Sequence, residues 1–169
     1  MLGENGVVIL GVDPGSSVTG YGLIRSHGQK DTLVESGVIE PSPGALLPDK
    51  LNDIFDGLLR IIQKKEPDHF AIEQAFYSKN ARSALIMGQA RGVAILAAAK
   101  SRLSIAEYSP KEVKSAVVGT GSASKAQVQF MVQKLLKLKE PPVPLDAADA
   151  LAVALCHAQR IRRNRLVTA

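Results

Sequence analysis

The run Val7-Val-Ile-Leu-Gly-Val12, bounded by glycines and ending on Asp13 with Pro14-Gly15 behind it, constrains the fold more than any other stretch. Its β-branched content and its length predict a strand rather than a helix, and its unbroken apolar character means that both faces must be covered. A strand of that kind is central in its sheet. Pro14-Gly15 supplies turn chemistry, so the Asp13 carboxylate falls at the strand end, where open α/β sheets place their ligands. A turn aspartate can also bond its own backbone, and on Asp13 alone the two readings are level. Other acids in the right places would decide between them.

Thr19 to Arg25 and Leu33 to Glu40 read as two more strands joined by the polar segment Ser26 to Lys30, which predicts an antiparallel meander. Pro41 to Pro48 is a loop, and Asp49 to Lys65 is an amphipathic helix, with Leu51, Ile54, Phe55, Leu58, Ile61 and Ile62 at spacings of three and four up to the stop at Pro67. The next strand, His69 to Glu73, follows that helical crossover and should run parallel to the first. Glu73 then lies at the same edge as Asp13. A loop with Phe76, Tyr77 and Lys79 leads to a helix over Ala81 to Lys100 capped by Asn80.

That helix carries Ala84, Gly88 and Gly92 on one stripe, although each mid-helix glycine costs about 0.8–1 kcal/mol relative to alanine. Close packing is implied, either on the protein's own elements or across a dimer. Leu103 to Tyr108 is a fifth strand. Ser109-Pro-Lys-Glu112 is a capping box with proline at the first helical position, opening a short helix to Val118. Gly119-Thr-Gly-Ser-Ala-Ser-Lys125 is not a phosphate loop, since no strand precedes it and no glycine stands before its lysine. Ser124 and Gln127 instead cap a helix from Lys125 to Leu138. Lys114 and Lys125 flank this turn, as solvated side chains or as phosphate contacts. The final helix, Leu145 to Arg163, has Asp146 and Asp149 on one face of its first turn, where acids also simply complement the macrodipole. From about residue 160 the chain reads as a short basic tail.

A chain of 169 residues, 46% apolar, fits one domain over residues 1–169. With 21 Lys plus Arg against 16 Asp plus Glu, the net charge is +5, which suits a polyanionic partner. The longest apolar run, Val93 to Ala99, is far below the roughly 20 residues of a membrane span, so no membrane is expected and a cytoplasmic location is. Cys156 is a small core residue, and one cysteine with three scattered histidines gives no zinc spacing. Any metal must be hard and oxygen-ligated.

If the last helix docks beside the sheet edge, Asp13, Glu73, Asp146 and Asp149 converge. Four carboxylates held together repel unless cations lie between them, and Mg²⁺ binds through carboxylates plus substrate phosphate. Two such ions about 3.5–4 Å apart support phosphodiester hydrolysis. The strings ILGVDPGSSVTGYGLI, FAIEQAFYSKNARSALIMGQARGVAI, VKSAVVGTGSASKAQV and DAADALAVA, in that order, closely resemble the RuvC family of crossover (Holliday) junction endodeoxyribonucleases over nearly the whole chain. The resemblance implies an α/β, RNase H-like fold: a mixed five-stranded sheet, its first three strands an antiparallel meander, with helices on both faces. It implies a homodimer that nicks four-way junction DNA symmetrically, with two Mg²⁺ per site and Mn²⁺ as a substitute, in recombination and repair. Asp13, Glu73, Asp146 and Asp149 match the family's catalytic metal ligands. Lys114 and Lys125 match lysines important for cleavage, and Phe76 an aromatic that meets distorted bases, with Tyr77, Lys79 and Arg82 as neighbouring DNA contacts. The Ala84, Gly88, Gly92 stripe coincides with the family's dimer helix. RuvA and RuvB are the implied protein partners. Two rivals are a sugar-kinase-like phosphotransferase, disfavoured by one short domain without a repeat, and a junction-binding module without catalysis, disfavoured by the concentrated acids.

Overall fold

The computed structural model describes residues 6–74 and 80–168. Five strands, β1 (Val7–Asp13), β2 (Thr19–His27), β3 (Lys30–Ile39), β4 (His69–Glu73) and β5 (Ser104–Tyr108), form one sheet in the order β3-β2-β1-β4-β5. β1 pairs antiparallel with β2, and β2 with β3. The helix α1 (Leu47–Lys65) carries the chain across so that β4 lies parallel to β1, and α2 (Ala81–Lys100) does the same for β5 against β4. The expected RNase H-like mixed sheet is present.

Alternation along the strands sorts the core into two layers. Val8, Leu10 and Val12 of β1, with Phe70 and Ile72 of β4, pack against Ile54, Leu58 and Ile62 of α1 and the buried alanines of α2. On the opposite face, Val7, Ile9 and Ala71 meet α3 (Pro110–Val118), α4 (Lys125–Leu135) and α5 (Leu145–Thr168). Helices therefore cover both faces, and β1 is buried from Val7 to Val12 as its composition demands. Asp13 shares its side with Val7 and Ile9, and Glu73 shares its side with Ala71, so parity sends both acids to the α5 face.

The helix signals act as read. Asn80 accepts from the Arg82 and Ser83 amides, and Ser109–Glu112 and Ser124–Gln127 close complete capping boxes. Several boundaries differ from expectation. The β2–β3 hairpin turns tightly at Gly28, with φ +58°, because backbone pairing carries both strands on through the polar residues Ser26, His27, Lys30 and Asp31. α1 starts two residues early, since Pro48 is tolerated in a first turn. α4 stops at Leu135, just before Lys137 turns left-handed at φ +53°.

The residues from about 160 are a continuation of α5 and not a tail. Arg162 grips Asp31 with both guanidinium nitrogens, at 2.8 and 3.0 Å, and donates to Ser26 Oγ at 3.0 Å. The Arg160 guanidinium lies 5.6 Å from the Tyr108 ring centre. Two of the basic residues of the expected tail are thus engaged by the protein itself.

Candidate active site

β1 and β4 end together at one edge of the sheet. Their parallel register pairs Val12 with Ile72, so Asp13 and Glu73 are the next residues on adjacent strands. The turn beyond Asp13 is held by Thr19, a fully buried hydroxyl that donates to the Gly15 carbonyl at 2.7 Å and accepts from the Gly15 amide at 3.3 Å. That bond folds Pro14–Val18 back and leaves the strand end open.

α5 supplies the remaining acids, and its small residues determine how near they come. Ala147, Ala148 and Ala150 are fully buried against the sheet, so the first turn lies close to it and directs Asp149 toward the strand ends. A cavity of about 300 Å³ is lined by Asp13, Glu73 and Asp149, with Lys114 from α3 and Lys125 from α4 on its rim. Lys125 Nζ lies 3.3 Å from Asp149 Oδ2. Asp146 does not line this cavity, although its charge is close enough to act on Asp13 and Asp149.

The electrostatics show what this arrangement costs. Asp13 is pushed up to about 7, first by burial and then by the charges of Glu73, Asp149 and Asp146, with Lys125 opposing. Glu73 is also pushed up to about 7, by burial and by Asp149, against Lys125 and Lys114. Asp149 rises through burial, moderated by the Lys125 ion pair, and that same pair raises Lys125. Two lysines at the rim leave the inner carboxylates undercompensated.

An all-carboxylate donor set facing an open cavity fits a hard divalent ion such as Mg²⁺ in its chemistry. Among the described residues, no three His, Cys, Asp or Glu side chains are gathered about a single point as they stand. The acids ring the cavity instead of enclosing a preformed cage, in keeping with an ion that keeps several waters and takes ligands from a substrate phosphate.

Phe76, Tyr77 and Lys79 lie outside the described residues. Arg82 is exposed in the first turn of α2. Among the described residues, a Cβ at Gly88 or Gly92 would meet nothing within 4 Å, so packing against the described sheet and helices does not account for these glycines. Leu85 and Leu96, on the same exposed side of α2, are 70% and 52% exposed, whereas Ala84 is half-buried.

Three contributors escaped the sequence reading. Thr19 is one, and its place four residues after Gly15 in a turn was an available signal. Met87 lines the cavity from α2. Arg91, also on α2, donates from Nε to the Glu73 carbonyl at 3.4 Å and pairs with Glu107 of β5, bracing the end of β4. Nothing local in the sequence marks a contact across 18 positions.

A mixed sheet in this order, with acids at two central strand ends and a third on a helix laid across them, defines an RNase H-like nuclease. The family model of the crossover junction endodeoxyribonuclease RuvC matches residues 9–157, which include all four acids and both lysines. The chain belongs to the RuvC family. It is 51% identical over 159 residues to the RuvC of Pelotomaculum thermopropionicum, covering 94% of this chain and 97% of the relative. To the RuvC of Shewanella amazonensis it is 57% identical over 150 residues, 89% and 86% of the two chains. The solved structure of Thermus thermophilus RuvC in complex with a Holliday junction substrate superposes with a TM-score of 0.87 at 33% identity, covering 94% of this chain and 96% of that one. The phosphotransferase alternative lapses with these matches.

Proposed function

We propose that the protein resolves four-way DNA junctions by Mg²⁺-dependent phosphodiester hydrolysis, acting as a homodimer that places paired symmetric nicks in recombination and repair. The observation that carries this reading is the convergence of Asp13, Glu73 and Asp149 on one open cavity rimmed by Lys114 and Lys125. A pure binding surface for a polyanion gains nothing from buried carboxylates. A cation-requiring hydrolase needs them.

Asp13, Glu73 and Asp149 would hold the metal, with Asp146 joining from the first turn of α5. The chemistry a bound Mg²⁺ would supply there is activation of a water and stabilisation of the leaving oxygen of the scissile phosphate, and Mn²⁺ would fit the same donors. β1 and β4 keep two carboxylates at fixed height, because their backbones are locked in the parallel ladder. Lys125 holds Asp149 in place and adds positive charge where phosphate negative charge builds up. Lys114 lines the same cavity and suits a direct phosphate contact.

The dimer is supported by the exposed apolar side of α2 around Gly88 and Gly92, which the described residues leave uncovered. Two identical sites related by a two-fold axis match two equivalent strands of a junction. The excess of basic residues, 21 against 16, supports backbone recognition whose affinity falls steeply with salt. No helix among the described residues is long and apolar enough to cross a membrane. Partnership with RuvA and RuvB, and a cytoplasmic location, rest on the family alone.

The test is a synthetic four-way junction beside a linear duplex of the same sequence, each with Mg²⁺ and with EDTA. Paired nicks on the junction in Mg²⁺ alone are expected. Equal cutting of the duplex would remove junction selectivity, and junction binding without any cleavage would leave a binding module.

A further inference from the structure

The spacing between the sheet acids and the helix acids is set where α5 lies directly on the backbone of β1 and β2. In the β1–β2 ladder, Gly20 is the partner of Asp13. A Cβ built on Gly20 would lie 2.0 Å from the carbonyl oxygen of Asp146, 2.5 Å from its carbonyl carbon and 3.2 Å from the Ala147 nitrogen. Gly20 therefore stands between one acid of the site and the backbone that carries another. Its φ is not in the left-handed region, so no turn requirement explains the glycine, and the close approach does.

The obstructing atoms are backbone atoms in the first turn of a helix, which cannot swing aside as a side chain would. Ordinary contact begins at 3.4 Å. A methyl group at this position would make the start of α5 retreat by roughly 1 Å or more, enough to cost on the order of a hundredfold in rate where reacting groups must be held in place. Gly11 and Gly22 admit α5 in the same way further along, against Ala150 and Leu151, but they lie away from the strand end.

We propose that Gly20 is a positioning residue that sets the distance between Asp13 on the sheet and Asp146 and Asp149 on α5, and so the fit of the site to its metal. The inference rests on the metal-dependent reaction proposed above. Gly20→Ala acts on the spacing of the acids and leaves the surface that meets DNA in place. The loss appears in the catalytic step and in metal binding, with junction affinity retained.

The experiment compares wild type, Gly20→Ala and Gly22→Ala by three readouts: junction Kd in EDTA, single-turnover cleavage, and the Mg²⁺ concentration at the midpoint of the thermal upshift without DNA. Gly22→Ala is the control for helix packing, because it meets α5 beyond the acids, at the Leu151 side chain at 2.6 Å and the Leu151 nitrogen at 2.9 Å. Gly20→Ala is expected to cleave about a hundredfold more slowly at saturating protein, with junction Kd within about twofold and the Mg²⁺ midpoint moved to higher concentration. Gly22→Ala is expected to melt lower, with the Mg²⁺ midpoint unchanged. Wild-type cleavage and an unshifted midpoint in folded Gly20→Ala would overturn the proposal, as would equal midpoint shifts in both variants. Should Gly20→Ala not fold, Asp149→Glu tests the same spacing from the helix side. A longer carboxylate must then spoil the fit, and an unchanged Mg²⁺ midpoint in that variant would overturn the proposal. A wild type that shows no Mg²⁺ upshift would instead sink the metal reading, while the cleavage rates still judge the spacing.

Discussion

Beneath α1 and α2 the sheet presents Val8, Leu10, Val12, Phe70 and Ile72, whereas where the first turns of α5 cross the other face it presents Gly11, Gly20 and Gly22. The first face buries large side chains, and its helices stand off on Ile54, Leu58 and Ile62. The second also buries Val7, Ile9 and Ile24, but under the first turns of α5 it is stripped to backbone, and the helix meets it there through Asp146, Ala147, Ala150, Leu151 and Ala154. Large residues give more transfer free energy per position. Small ones leave less room for a helix to shift, because their contacts are with backbone. The acids of the site sit on the second face, so stability and positioning are divided between the two sides of one sheet.

The division can be broken first at the site itself. Asp13→Asn removes a carboxylate at the sheet edge without changing its volume, and cleavage should fall on the order of 10³-fold or more while junction binding persists. Single-turnover assays beside gel-shift titrations check both halves, and normal cleavage would take Asp13 out of the reaction. Next in size is Leu58→Ala on the opposite face. The fully buried leucine should cost about 2–5 kcal/mol in urea unfolding, with the folded fraction keeping its normal Mg²⁺ dependence. A changed Mg²⁺ dependence would mean that the two faces are not separate in function. The smallest effect on the monomer is expected from Gly88→Leu, which points into open space and gains about 0.8–1 kcal/mol of helix propensity. Sedimentation should nevertheless show a weakened dimer, and an unchanged assembly would take this side of α2 out of the interface.

Much of this architecture is legible in the chain because its signals are local. The unbroken burial of β1, the capping boxes at Ser109 and Ser124, the Asn80 cap and the stop before Pro67 are each read within a few residues, and each acts as expected. The meeting of Asp13 with Glu73 follows from one further step, the crossover rule that makes β4 parallel to β1. The convergence with Asp149 needed the helix to dock, and the abundance of alanine beside Asp146 and Asp149 hinted at it. The hairpin was too short in the sequence reading because polar residues mask pairing that depends only on backbone. The basic end reads as a tail in the sequence because the partner of Arg162, Asp31, is 131 positions away. Gly20 was passed over for the same reason: what makes it necessary is a carbonyl of α5, invisible from its neighbours.

The central claim is that the acids on the α5 face are forced together by packing and need a cation between them. Asp13 and Glu73 are both raised to about 7 from ordinary values of 3.8 and 4.5. Between about pH 4 and 7 the folded protein therefore holds protons that the unfolded chain has released, and these groups lose stability as pH climbs through that window. The direct measurement is the melting temperature of wild type and Asp13→Asn at pH 5 and pH 8, each in EDTA and in Mg²⁺, without DNA. Asp13→Asn should melt above wild type at pH 8 in EDTA, the gap should shrink at pH 5, and Mg²⁺ should raise wild type past the variant at pH 8. A difference between the two proteins that ignores both pH and Mg²⁺ would contradict the account.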